Sequence, residues 1–306
     1  MSFAGMMLVA LALDLAIGWP AWLYARIGHP VTWLGALISL LEGRWNFGRA
    51  RKPKGVALVA VVVGLAAGLG AGLQAALPGG WTGVVLGGVL VWPLVALRSM
   101  HAHVAAVAGP LEAGDLAAAR GAVAMIVGRD TTQLDGAGVA RAGLESLAEN
   151  TSDGIVAPVF WGAVLGLPGI AAYKAINTLD SMVGHRNARF EAFGWASARL
   201  DDLVNLIPAR LTGALFALVS GRGAAWACMW RDAGKHRSPN AGWPEAAMAG
   251  ALGVRLSGPR VYGDRVSPEP WVNDGTSDPA PRDLRRGLRV YARAMTVMAV
   301  ALAVLM

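Results

Sequence analysis

The chain has 306 residues, 55% of them hydrophobic and only 15% charged, with a mean hydropathy of +0.47. Ordinary soluble domains carry about 25% charged residues, so the composition argues against a soluble enzyme and for an integral membrane protein. The net charge is +7, but the basic residues flank apolar runs, which fits positive-inside topology and anionic lipid contact and excludes a nucleic-acid-binding face. The single cysteine, Cys228, excludes an internal disulfide and a cysteine metal cluster.

In chain order, apolar runs near the roughly 20 residues needed to cross a bilayer cover residues 3–18, 55–77, 81–97, 155–173, 203–220 and 290–306. The first has no basic n-region and no cleavage site, so it reads as a retained helix, and Asp14 within it argues against a passive anchor. His29-Pro30, ahead of further apolar sequence, reads first as a cap or interface feature. Arg44, Arg49, Arg51, Lys52 and Lys54 mark the following segment as cytoplasmic, while Pro78-Gly79-Gly80 carries no charge. This places the N-terminus outside and residues 98–149 and 222–289 inside. Gly64, Gly68 and Gly72 have helix-packing spacing.

Residues 99–149 read as a peripheral helical region. Residues 111–124 are helix-prone, with Glu112 and Asp115 in the first turn. Gly128-Arg129-Asp130-Thr131 follows as a turn and helix cap, and helical character resumes over 138–148 to deliver Glu149. His101 and His103, two apart, read as solvated. The run 155–173 carries Pro158 and a Leu167-Pro168-Gly169 break, so it is expected to be kinked or re-entrant where other protein covers its backbone. The run 203–220 contains Asn205, Pro208 and Arg210 and is no simple span. Residues 254–262, around Ser257-Gly258-Pro259, suggest a small hairpin. Pro268, Pro270, Pro279 and Pro281 then enforce an extended path. The expected fold is all-α: a multi-pass membrane helical bundle of about five or six segments, some broken or re-entrant, with cytoplasmic loops. It is read as one domain, 1–306, including the polar cytoplasmic segment 222–289.

Polar chemistry concentrates in residues 149–210, beside membrane-grade apolar runs where ionisable groups are costly. Glu149 and Asp153 are four apart, so a helical path sets both carboxylates on one face, where they suit a divalent cation; the bland alternative is that Asp153 caps the next helix. Lys174, Asn177 and Ser181 lie at helical spacing with Asp180 and His185 adjoining, and Arg186 follows. Ion pairing at the membrane surface is the alternative there. Asp201 and Asn205 are again four apart with Asp202 adjacent, either to hold metal and phosphate or to pair with Arg199 and Arg210. Ser238-Pro239-Asn240-Ala241-Gly242 reads by composition as loop and helix-start chemistry. There is no Walker loop, no dinucleotide fingerprint and no zinc-protease histidine pair.

Taken together, these segments are similar to a known family. Glu149-Asn150-Thr151-Ser152-Asp153-Gly154 with Ala157-Pro158, the run from Lys174 through Asp180-Ser181 to Gly184, Asp201-Asp202 through Pro208-Ala209-Arg210, and Ser238-Pro239-Asn240-Ala241-Gly242 resemble the adenosylcobinamide-phosphate synthases of cobalamin biosynthesis. Asp14, His29-Pro30-Val31 and Gly128-Arg129-Asp130-Thr131 also fit. The resemblance covers nearly the whole chain except the Pro-rich region from Gly253.

The resemblance implies a multi-pass bacterial inner-membrane ligase that joins aminopropanol, or its phosphate, to a propionate of adenosylcobyric acid. ATP and Mg²⁺ are the expected cofactors, with the corrinoid as substrate. The implied partners are the two substrates, membrane lipid and other corrinoid-pathway enzymes, and a homo-oligomer is left open. Activating a carboxylate for amide formation needs acids for Mg²⁺ and cations for phosphate. Glu149, Asp153, Asp180, Asp201 and Asp202 form the metal pool, and Arg129, Lys174, His185, Arg186 and Arg210 the phosphate or propionate pool. Asn177, Asn205, Ser238 and Asn240 join the binding set. Glu149, Asp153, Lys174, Asp180 and His185 are the expected catalytic residues, with His185 or a carboxylate as base. A transporter with broken helices and a non-catalytic scaffold are the competing classes. If ATP is used, residues 174–202 must reach the cytosol.

Overall fold

A computed structural model describes residues 1–262 and 265–306. The helices run in order α1 (Phe3–Ile17), α2 (Ala21–Ile27), α3 (Pro30–Trp45), α4 (Arg51–Ala76), α5 (Gly80–Val91), α6 (Leu97–Glu112), α7 (Leu116–Ala124), α8 (Gly136–Thr151), α9 (Ala157–Val183), α10 (Trp195–Val204), α11 (Leu206–Ser220), α12 (Gly223–Asp232), α13 (Gly242–Leu252) and α14 (Pro281–Val304). A π-helical turn, Ser152–Val156, joins α8 to α9. The strands described are β1 (Leu256–Ser257), β2 (Arg260–Tyr262), β3 (Arg265–Ser267) and β4 (Trp271–Val272), and they pair antiparallel as β1 with β4 and β2 with β3. The protein is therefore an all-α membrane fold. Among the described residues, Arg51–Ala76, Gly80–Glu112, Gly136–Val183 and Pro281–Val304 are long and apolar enough to cross a bilayer, and up to six spans result if each of two bent pairs counts as one.

The chain forms two compact units. The first comprises Met1–Ala96, Ala157–Asn205 and Ala301–Met306. Its first turns are set by local chemistry: Ser2 Oγ accepts the Gly5 N–H at 3.1 Å to start α1. His29 caps α3 as expected, its Nδ1 accepting the Val31 N–H while its own N–H donates to Thr32 Oγ1, with Pro30 at the first helical position. One core cluster of this unit is Ile38, Leu58, Val62, Ala175, Leu179, Val183 and Phe193, where α3, α4 and α9 meet.

Lipid gives helices no hydrophobic reason to associate, so close approach through small residues decides which faces meet. The structure corrects the glycine assignment here. A Cβ added at Gly64, Gly68 or Gly72 would meet nothing within 4 Å, whereas at Gly55 it would lie 1.8 Å from Phe193 O, and at Gly70 2.8 Å from Leu167 O and from Pro168. The packing glycines of α4 are thus Gly55 and Gly70.

The second unit comprises Leu97–Val156 and Leu206–Val300. The helix expected over 111–124 divides in two, because Gly114 turns left-handed (φ 82) after α6. Asp115 then caps α7 by accepting the Ala118 N–H, and Glu112 ends a helix where the sequence suggested a first turn. Asp130 accepts the Thr132 N–H in a local turn, so the cap of α8 falls to Asp135, which accepts the Gly138 N–H at 2.7 Å. The hairpin expected over 254–262 is displaced. Ser257 and Gly258 take positive φ, and Leu256 and Ser257 pair with Val272 and Trp271. Within the segment expected to be a polar loop, every residue of α13 except Trp243 is buried, the mark of a helix enclosed on all sides.

Candidate functional site

In the first unit, α9 carries the side chains singled out by spacing. It breaks at Gly166 (φ 71), one residue before the Leu167-Pro168-Gly169 signal. Gln74 Oε1 of α4 takes the Leu167 N–H at 2.8 Å, satisfying an amide that the break exposes. Beyond the break α9 runs to Val183, so Lys174, Asn177, Asp180 and Ser181 are helical as expected. Gly184 ends it with the carboxylate of Asp180 folded over the backbone. A Cβ at Gly184 would lie 1.9 Å from Asp180 Oδ1, and one at Gly194 would lie 1.7 Å from Val183 O.

These glycines shape a polar pocket of about 270 Å³, lined by His185, Arg186, Glu191, Trp195, Arg199 and Asp202 among others. Arg199 lies 3.6 Å from Asp202, and Arg186 also acts on that carboxylate. The loop under the pocket is fastened by Arg189, which donates to both carboxylate oxygens of Glu42 at 3.1 and 2.7 Å. Those bonds raise the pKa of the exposed Arg189.

The carboxylates of Asp180, Asp201 and the pocket residue Asp202 lie within one another's fields. Asn177 sits beside Asp201, and Asn205 Nδ2 donates to Asp201 Oδ2 at 3.0 Å. Asp201 Oδ1 is buried without a hydrogen bond. Like charges so close repel unless a proton, an arginine or a bound cation relieves them. Among the described residues no three His, Cys, Asp or Glu side chains form a metal-holding group. A divalent ion here would therefore take one or two carboxylates and complete its shell from phosphate and water, the habit of Mg²⁺. The fold thus brings together Asn177, Asp180, His185, Arg186, Asp201, Asp202 and Asn205. Lys174 lines another, almost wholly apolar cavity of about 510 Å³ with Trp19, Trp33, Leu69 and Trp92.

In the second unit, Glu149 is exposed and Asp153 half-buried. Asp153 lies inside the π-helical turn, so it does not cap a helix start; such turns recur at functional sites. Arg129 pairs with Glu145 at 3.0 Å, both nearly buried. Glu145 also accepts the Ser257 N–H at 2.8 Å. Arg210 donates to Leu206 O at 2.7 Å and stacks 4.4 Å from the Trp243 ring centroid. Ser238 Oγ accepts from the amides of Asn240 and Ala241, and its own N–H donates to His236 Nδ1 at 3.0 Å. This is the loop chemistry the composition suggested. His236 Nε2 stands 3.9 Å from the buried Glu245.

Sequence reasoning missed Glu145, Glu245 and Tyr173, whose partners are remote in sequence or carry no spacing signal. It also missed Gly194, although a glycine following Phe193 was a visible cue.

A family profile described as "CobD/Cbib protein" matches residues 7–291. A "Cobalamin biosynthesis protein CobD" of Rhodobacter capsulatus is 67% identical over 300 residues, covering 97% of this chain and 96% of the relative. Proteins of the same name from a Sinorhizobium species and from Brucella suis are 47% and 46% identical over 305 residues. Each alignment covers 95% of this chain, and 94% and 93% of those relatives respectively. No solved structure matches.

Proposed function

The chain belongs to the CobD/Cbib family of cobalamin biosynthesis, and from that premise we propose that it is an amide-forming ligase acting on a corrinoid. It joins aminopropanol, or aminopropanol phosphate, to a propionate carboxylate of adenosylcobyric acid with consumption of ATP. The observation that carries this reading is the polar pocket bearing Arg186, Arg199 and His185, backed by Asp180, Asp201 and Asp202. Cations for phosphate beside acids for a divalent ion are what carboxylate activation requires.

The carboxylate oxygen first attacks the terminal phosphate of ATP, releasing ADP and giving an acyl phosphate. The amine nitrogen then attacks the carbonyl carbon, the C–O bond to phosphate breaks, and inorganic phosphate leaves with the amide formed. Arg186 and Arg199 neutralise phosphate oxygens. One or two of Asp180, Asp201 and Asp202 would hold Mg²⁺, which supplies charge neutralisation at the transferring phosphoryl group. A carboxylate outside that coordination, or His185, accepts the proton from the attacking amine. Lys174 in the first unit, and Arg129, Glu149, Asp153, Arg210, Ser238 and Asn240 in the second, are further proposed functional residues. The enzyme sits in the bacterial inner membrane with its site open to the cytosol.

The test is purified protein in detergent with adenosylcobyric acid, aminopropanol phosphate, ATP and Mg²⁺, read by mass spectrometry. The expected result is the amide product with equimolar ADP, and a loss of about 100-fold or more in kcat for Asp201→Asn, the scale of removing one preorganised charge-stabilising group. Glu149→Gln and Asp153→Asn are each expected to lower turnover. Absence of amide under these conditions overturns the ligase reading, and vectorial corrinoid uptake into proteoliposomes without covalent change would replace it with transport.

A further inference from the structure

The C-terminal turn of α10 is fastened to α9 at two points. Trp161 Nε1 donates to Val204 O at 3.1 Å, and the Tyr173 hydroxyl donates to Asn205 Oδ1 at 2.9 Å. Asn205 Nδ2 then donates to Asp201 O at 3.2 Å and to Asp201 Oδ2 at 3.0 Å. Tyr173 and Asn205 are each 1% exposed, so water does not compete for these bonds.

The order of donors fixes the order of acceptors. Because the phenol gives its proton to the amide oxygen, the amide must turn its NH₂ toward the carboxylate; the flipped amide would set carbonyl oxygen against carboxylate oxygen. Oδ2 of Asp201 is thereby occupied, and the rotation of the carboxylate is set. Oδ1 stays buried without a hydrogen bond, a placement that costs free energy in the resting protein. Asp180 bears on the same group, and the Asn177 side chain also hydrogen-bonds this carboxylate.

We propose that Tyr173 and Asn205 are positioning residues which hold Asp201 so that its Oδ1 faces a cation or proton donor of the reaction. Neither touches the reacting atoms. Their effect passes through Asp201, in the way outer partners orient a ligating carboxylate. This inference rests on the ligase reading above.

The experiment is a double-mutant cycle. Tyr173→Phe keeps the ring and its packing and removes only the hydroxyl. Its expected effect is a fall of about 10-fold or more in kcat, with KM for the amine within about twofold. In an Asp201→Asn background the same change is expected to have no further effect, because the group it orients is already lost. Asn205→Ala should behave like Tyr173→Phe. The proposal is overturned if Tyr173→Phe retains wild-type kcat, or if its loss multiplies with that of Asp201→Asn. Should the wild-type chain show no turnover, the ligase reading fails by itself. The relay is then judged on melting temperatures of the same four proteins in detergent: non-additive losses uphold it and additive losses overturn it.

Discussion

Asp232 has no exposed side-chain surface, yet four donors converge on it: Arg231 at 2.7 and 2.8 Å, Lys235 at 2.9 Å, the Asn273 N–H at 2.7 Å and, more weakly, the Cys228 thiol at 3.7 Å. Burial alone would raise its pKa, but the bonds from Arg231, Lys235 and Asn273 outweigh burial and hold it well below the usual carboxylate range. A depressed carboxyl pKa adds stability that is fully present above the unfolded value, about 3.9, and is lost as pH falls toward the folded one. Asp232→Asn is therefore expected to cost roughly 2–3 kcal/mol at neutral pH. The gap from wild type should narrow below about pH 4, as read by thermal melting across pH. Beside it, burial first and the Asp232 charge second push the Cys228 thiol up to about 12, so the thiol stays protonated and inert to alkylation at pH 7. At this scale the sequence exposed what is local. Asp180, Asp201 and Asn205 were legible because helix spacing is a local rule. Tyr173 was not, because Asn205 is 32 residues away, nor Glu145, whose Ser257 partner is 112 away.

Among the elements, α4 and α9 show what pattern conveys and what it omits. The bend in α9 was readable from Leu167-Pro168-Gly169, since proline removes a helix donor and glycine permits positive φ; the acceptor that stabilises it, Gln74, was not. In α4 the regular series Gly64, Gly68, Gly72 suggested a packing stripe, but spacing gives a face without saying whether another helix lies against it. The structure puts Phe193 O against Gly55 and leaves Gly64 and Gly68 open. Gly55→Ala is accordingly expected to force backbone apart and cost about 1–3 kcal/mol or more. Gly68→Ala should keep or raise the melting temperature through helix propensity, worth up to about 1 kcal/mol. Thermal melting of both variants in detergent decides it, and equal losses would sink this reading.

For the whole molecule, membrane class and orientation rest on the placement of apolar and basic residues. Arg44, Arg49, Arg51, Lys52 and Lys54 before α4 predict a cytosolic face, and the uncharged Pro78-Gly79-Gly80 turn predicts the opposite one. With Cys228 inert, single cysteines report topology directly. In intact spheroplasts an impermeant maleimide should label Gly79→Cys, and should label Arg49→Cys only after lysis; the reverse pattern would invert the orientation and remove ATP from the proposed site. By itself the sequence determined that the chain is helical and membrane-embedded, that α9 breaks near Leu167-Pro168-Gly169, and which acids, amides and cations recur at helical spacing. These are consequences of hydropathy and of the 3.6-residue period, both properties of neighbouring residues. Only the tertiary structure decided that Gly55 and Gly70 are the close contacts, that Lys174 faces an apolar cavity while Arg186 and Asp202 share a polar one, and that Tyr173 reaches Asp201 through Asn205. Such pairings depend on how closely distant backbone segments approach and which way a buried amide turns, and no local pattern encodes either.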